Sequence, residues 1–166
     1  MKLRISELID RLNLKSHPEG GYYTEVYRSD GIIETDKDDF PDGRHYSTSI
    51  YYLLGSDDQS QFHRIKSDEV WHHYEGSPIT IHLISQSGTY RKLNVGKDLE
   101  AGQKPQHIVP AGYWFGVTVD DPDRFALCGC TVSPGFDFDD FELADRDDLL
   151  AQFPDHEEII KKLTQV

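Results

Sequence analysis

The stretch from Phe62 to Gly76, FHRIKSDEVWHHYEG, constrains this chain more than any other. It sets three histidines, two glutamates, a Trp and a Tyr between short hydrophobic runs. Lys66-Ser67-Asp68 reads as a turn, and a hairpin closed there brings His63 and Glu69 together on facing strands. Beyond Glu69, strand alternation puts Glu69, Trp71 and His73 on one face and Val70, His72 and Tyr74 on the other. Gly76 and Pro78 end the strand. A polar cluster held this way on a β scaffold builds a pocket rather than a solvated face.

The flanking sequence supplies the rest of that scaffold. STSIYYLL from Ser47 to Leu54 is β-branched and aromatic, as strands are. Tyr23–Tyr27, Ile79–Ile84, Thr89–Val95, His107–Pro110, Tyr113–Val119 and Arg124–Val132 add further short strands between turn signals. Eight or more such strands predict an all-β sandwich or barrel. Ile5, Leu8, Ile9 and Leu12 recur at helical spacing ahead of it. His17 to Tyr23, HPEGGYY, carries a Gly pair that permits a tight turn or a close backbone approach. Glu34 to Asp42 is acidic and turn-rich and reads as an exposed loop. After Phe136 the chain becomes acidic and then helical, with Asp155 and Glu158 spaced as a capping box and Glu157–Lys161 and Glu158–Lys162 as i,i+4 pairs. Leu149, Leu150, Ile159, Ile160 and Leu163 are placed to dock these helices on the outside. No linker or repeat divides the 166 residues, so residues 1–166 are read as one domain.

Charge and composition narrow the partners. A formal net charge of −13 repels nucleic acid and anionic membrane surfaces. No apolar run approaches the roughly 20 residues of a membrane span, and the N-terminus lacks a signal-peptide h-region. Cys128 and Cys130 lie two apart on one strand face, a poor disulfide geometry, and read as core thiols of a reducing compartment. The expectation is a cytoplasmic protein.

The central stretch resembles the first cupin motif, His-x-His, three or four residues, Glu, six residues and Gly. His63, Glu69 and Gly76 match it. IVPAGYWF resembles the second motif, Pro-x-Gly-x2-His, through Pro110 and Gly112. Ile65 and Phe115 stand where two further histidines belong, and Gly55 is offset from the opening glycine. HPEGGYY, STSIYYLL, DEVWHHYEG and TVSPGFDFDDFEL together look like the cupin branch catalogued as a domain of unknown function. The resemblance implies an all-β cupin jelly roll (double-stranded β-helix) with a short N-terminal helix and C-terminal helices, related to the dTDP-sugar epimerase-like (RmlC-like) cupins and usually dimeric. It implies no one activity, because that branch lacks an agreed one.

Most catalytic cupins hold a divalent metal with three His and one Glu. Here the matched positions retain two donors, His63 and Glu69, short of the two-His-one-carboxylate minimum for non-haem iron. His73 shares the face of Glu69 but sits about 13 Å away at strand rise. The expectation is therefore no cofactor, with a divalent metal at His63 and Glu69 the less favoured alternative. In its place the pattern predicts a metal-free pocket, with His63 and Glu69 as a coupled catalytic pair in which Glu69 orients the ring. Ser49, Tyr51, Gln61, Trp71, His73 and Phe115 are the candidate substrate-binding residues. His17, His45, His82, His107 and His156 have no recognisable partner spacing. Such a pocket suits a small polar, carbohydrate-like or nucleotide-like metabolite. Two readings follow: acid–base epimerisation or isomerisation, or a sensor or carrier without turnover. A homodimer is expected, with Tyr22 to Tyr27 at the covered sheet edge.

Overall fold

The computed structural model describes residues 2–34 and 39–165. Of the acidic loop expected from Glu34 to Asp42, residues 35–38 lie outside them. Helix α1 (Lys2–Leu12) leads into the strands β1 (Lys15–Ser16), β2 (Tyr22–Arg28), β3 (Ile32–Ile33), β4 (Arg44–His45), β5 (Thr48–Gly55), β6 (Gln59–Arg64) and β7 (Asp68–Gly76). Strands β8 (Ile79–Ile84), β9 (Tyr90–Val95), β10 (Gln106–Val109), β11 (Trp114–Val119), β12 (Phe125–Ser133) and β13 (Glu142–Leu143) complete the β layers. Helices α2 (Arg146–Gln152) and α3 (Glu157–Lys162) close the described chain. No helix among the described residues is long and apolar enough to cross a membrane.

Two antiparallel sheets face each other, in the orders β1-β2-β5-β12-β7-β10 and β13-β6-β11-β8-β9. From β5 to β7 and again from β10 to β12 each strand crosses to the opposite sheet. That winding is the jelly roll expected from the sequence. It also corrects the central hairpin. β6 and β7 are consecutive but do not pair; Lys66-Ser67-Asp68 carries the chain from one sheet to the other, so His63 and Glu69 approach across the layers.

The space between the sheets is filled at one end and open at the other. Tyr52, Leu54, Trp71, Ile81, Leu83, Phe115, Val117 and Cys128 pack into the filled end. Each comes from the inward-facing set of its strand, as period-two alternation requires. Leu149, Ile160 and Leu163 seal the outside of the second sheet against Phe62, Ile84 and Trp114. Leu8 and Leu14 dock against Leu53 and Leu127 on the outside of the first. Fully burying side chains of this size contributes about 1.5–3 kcal/mol each. The expected Asp155–Glu158 capping box is not formed. Asp145 instead caps α2 by accepting from the Asp148 N–H at 3.0 Å, and Pro154 starts a short 3-10 turn ahead of α3. The Glu157–Lys161 pair does form.

Candidate functional site

The open end holds a cavity of about 520 Å3. Its floor and sides come from both sheets: Thr48, Ile50 and Tyr52 from β5, Glu69 from β7, Cys130 and Val132 from β12, and His63 with Ile65 from the opposite layer. The segment before β2 adds His17 and Glu19, and Phe136, Phe138 and Phe141 form an aromatic wall near the mouth.

The carboxylate that meets His63 is Glu19, not Glu69. His63 Nε2 lies 2.8 Å from Glu19 Oε2, and Ser60 Oγ donates to Glu19 Oε1 at 2.9 Å. The other ring nitrogen, Nδ1, lies 2.7 Å from the Gln61 carbonyl and donates to it. Burial resists charge on both partners. Glu19 is nevertheless held below the usual carboxylate range, because the charge and hydrogen bond of His63 outweigh that burial. Burial likewise pulls His63 down, but Glu19, then Glu69 and the Gln61 carbonyl, raise it. The pair is an imidazolium–carboxylate with both ring N–H groups engaged. His63 therefore has no free nitrogen for a ligand, which revises its expected place as the proton-transfer group.

Two local devices place Glu19 and its partners. Gly20 and Gly21 adopt φ of +112° and +71°, and the Tyr52 hydroxyl donates to the Gly20 carbonyl. A Cβ at Gly20 would fall 2.2 Å from the Gln59 carbonyl oxygen, so this turn lies against β6 only as glycine. The second device is a β-bulge in β6. Phe115 pairs with His63 and Val117 with Ser60, so one extra β6 residue is inserted opposite Gly116. Simple alternation cannot put Ser60 and His63 on one side; the bulge does.

Glu69 stands apart. It is 7 % exposed, faces the cavity, and has no nitrogen or oxygen hydrogen-bond partner for its carboxyl among the described residues. Burial raises its pKa to about 7; the ionised Glu19 pushes the same way, against His63 and the Cys130 thiol. His17 is the cavity's second free group. Its Nδ1 accepts the Glu19 N–H at 3.2 Å, and burial lowers its pKa. The ring is accordingly neutral with its proton on Nε2, which has no partner among the described residues. Tyr23 at 4.6 Å and Phe141 at 5.9 Å, centroid to centroid, hold it edge-on.

The other candidates fall elsewhere. Ser49 and Tyr51 have the wrong parity: Thr48, Ile50 and Tyr52 face the cavity, while Tyr51 packs outward toward α1. Gln61 lies on the bulge and serves His63 through its backbone. Trp71 and Phe115 are buried beneath the floor, Trp71 edge-on to Tyr52 at 5.4 Å. His73 is deeper still, its Nε2 donating to the Ser77 carbonyl at 2.9 Å. None of these six lines the cavity. Sequence reasoning missed Glu19, His17, Ser60 and Cys130. The Gly20-Gly21 pair was the one signal for the first two.

The cupin metal positions do not suit a metal. Ile65 and Phe115 carry no donor atom, and the Nε2 of His63 is committed to Glu19. Among the described residues no three His, Cys, Asp or Glu side chains converge to hold an ion.

The family described as Cupin superfamily (DUF985) matches residues 6–144. An uncharacterised protein of Saccharomyces cerevisiae, YML079W, is 31 % identical over 147 residues, covering 82 % of this chain and 73 % of that one. Among solved structures, protein SO0799 from Shewanella oneidensis is 41 % identical with a TM-score of 0.88 over 96 % of both chains. A hypothetical protein from Leishmania major is 36 % identical with a TM-score of 0.90 over 97 % of this chain and 98 % of that one. Oxalate decarboxylase from Bacillus subtilis, at 13 % identity and a TM-score of 0.55, shares the fold over 89 % of this chain and 36 % of its own.

Proposed function

This chain belongs to the DUF985 family of the cupin superfamily, a membership that carries a fold and no reaction, and from its cavity we propose an enzyme of metal-free proton transfer on a small polar metabolite. The reaction class is isomerisation of an α-hydroxy carbonyl compound, in which one base moves a proton between neighbouring carbons. One observation carries the reading. Glu69 is a buried carboxyl aimed into the cavity, with no nitrogen or oxygen partner among the described residues and a pKa of about 7. A base is most effective when its pKa lies near the working pH.

In the proposed step the carboxylate form of Glu69 takes the proton as the C–H bond breaks. The electron pair moves onto the substrate oxygen, where the His17 Nε2–H donates to the growing charge. A neutral imidazole suits that role, because it stabilises charge without surrendering its proton early. Glu69 then returns the proton on the same face to the neighbouring carbon of the enediol. The hydroxyl proton passes meanwhile from one substrate oxygen to the other, so that the carbonyl moves by one carbon. Glu19 and His63 act as positioning residues: Glu19 receives no substrate proton but keeps a negative charge near Glu69, which helps hold its pKa up. The functional groups come from both sheets and from the β1–β2 turn, so a ligand between them is addressed from more than one side.

The second reading, binding without turnover, draws on the apolar wall of Ile50, Ile65, Val132, Phe138 and Phe141. The test is a panel of aldoses, ketoses and hydroxy acids incubated with the protein in deuterium oxide. Proton NMR should show label entering one C–H position of one compound, and Glu69→Gln should abolish it. Binding of a panel member without any exchange would replace the enzyme reading by the second.

A further inference from the structure

We propose that the ligand of this cavity carries an anionic group, a carboxylate or a phosphate ester, held at the mouth by Lys15. This inference rests on the cavity being the ligand site, as above. The inward end of the site is acidic: Glu19 is ionised and already answered by His63, and Glu69 is neutral or negative according to pH. An anion has nothing to pair with there. The mouth is different. Lys15 and Arg28 line it beside Glu25 and Asp137, the last of which accepts the Asp139 N–H at 2.9 Å. Arg28 is committed, with its Nη2 2.6 Å from Glu25 and 2.9 Å from the Phe136 carbonyl. Lys15 makes no ion pair among the described residues, and its Nζ sits 5.2 Å from the centroid of the Tyr23 ring.

A flexible ammonium held over an aromatic face at a cavity mouth, with no hydrogen-bond acceptor among the described residues, is suited to an incoming point charge. The opening that it guards is walled by Tyr23, Phe136 and Phe138, flat surfaces on which a ring or planar body can lie. The ligand class that satisfies both ends is a small organic acid with a planar or ring body, its acidic group outward and its carbonyl or hydroxyl carbon inward toward Glu69. The attraction of Lys15 for an anion is screened by salt.

The experiment is titration calorimetry with three probes of one ring: benzoate, phenyl phosphate and benzyl alcohol, each at low and at 0.5 M salt. At least one anion should bind ten-fold or more tightly than benzyl alcohol at low salt, and Lys15→Ala should erase that preference while leaving benzyl alcohol unchanged. Preference for benzoate or for phenyl phosphate tells a carboxylate from a phosphate ester. Equal affinity for all three, an anion preference that survives Lys15→Ala, or no binding by any of them would overturn the inference. Deuterium exchange at Glu69 is read separately. Exchange without a Lys15-dependent anion preference leaves the proton-transfer reading standing, and the reverse result leaves the ligand class standing.

Discussion

His63 Nε2 lies 2.8 Å from Glu19 Oε2, while Glu69, across the cavity on the facing sheet, has no such partner among the described residues. One imidazolium thus serves one of two buried carboxyls and divides them by protonation state. Glu19 receives charge-assisted hydrogen bonding and stays ionised. Glu69 receives burial and a nearby negative charge, and both push its pKa up. Pairs of titratable groups driven apart in this way are the usual arrangement of acid–base sites.

Removing one partner of the Glu19–His63 pair leaves the other charge buried and alone. His63→Ala and Glu19→Gln should each lose about 3–5 kcal/mol of stability, or roughly 6–20 °C of Tm in a domain of this size. The double variant should lose clearly less than the sum, since the two residues share one interaction. Thermal melts of the four proteins measure it; additive losses would mean that the pair is not coupled.

Glu69→Gln should act in the opposite direction, and only above mildly acidic pH. The folded pKa of Glu69, about 7, lies above its ordinary 4.5. The stability linked to its proton is therefore fully present below about 4.5 and lost as pH rises through about 7. Glutamine mimics the protonated form and avoids the loss. The variant should be more stable than the parent by on the order of 3 kcal/mol at pH 8 and nearly equal to it at pH 4.5. Denaturant titrations at the two pH values decide this. A stability difference that does not grow with pH would place the Glu69 titration elsewhere.

The fold was legible in the sequence because both cupin motifs lie in strands whose turn residues and alternation agree with it. Glu69, Trp71 and His73 share the inward face of β7, as alternation predicts. Alternation says nothing about depth along the strand, however, and only Glu69 reaches the cavity; Trp71 and His73 lie below it. On β5 the phase itself was unreadable. STSIYYLL is buried on one side by the interior and on the other by α1, so both faces are apolar and neither marks itself as inner. On β6 the bulge opposite Gly116 shifts the parity between Ser60 and His63, which no two-residue pattern encodes. Glu19 was hidden for another reason: its partner lies far along the chain, and only the winding of the two sheets brings HPEGG onto β6.

We propose a homodimer through β2. Its inner edge pairs with β5, but beyond Tyr23 its outer edge has no strand partner among the described residues, and Val26 and Tyr27 are exposed there at 47 % and 55 %. An open edge bearing apolar side chains is a template for pairing with a second copy. Light scattering across micromolar concentrations should give twice the chain mass, and Val26→Lys should shift the equilibrium toward monomer. A single-chain mass throughout would end the proposal.

The turn that carries Glu19 offers the sharpest separation of backbone strain from steric exclusion. Gly20 has φ +112° with the Gln59 carbonyl oxygen 2.2 Å from where a Cβ would stand; Gly102 has φ +80° with nothing within 4 Å. Alanine at either position adopts a conformation that L-residues disfavour, at about 1 kcal/mol in open space. Gly102→Ala should lose about that much and leave the cavity intact. Gly20→Ala must in addition push the HPEGG turn off β6, drawing Glu19 away from His63 and Ser60. Its loss should exceed that of Gly102→Ala by the coupling energy of the buried pair, about 3 kcal/mol, and probe binding or exchange activity should fall with it. Melting curves of the two variants, with His63→Ala as a third, test the account. In the Gly20→Ala background His63→Ala should have little further effect, because the partner that it would abandon is already displaced.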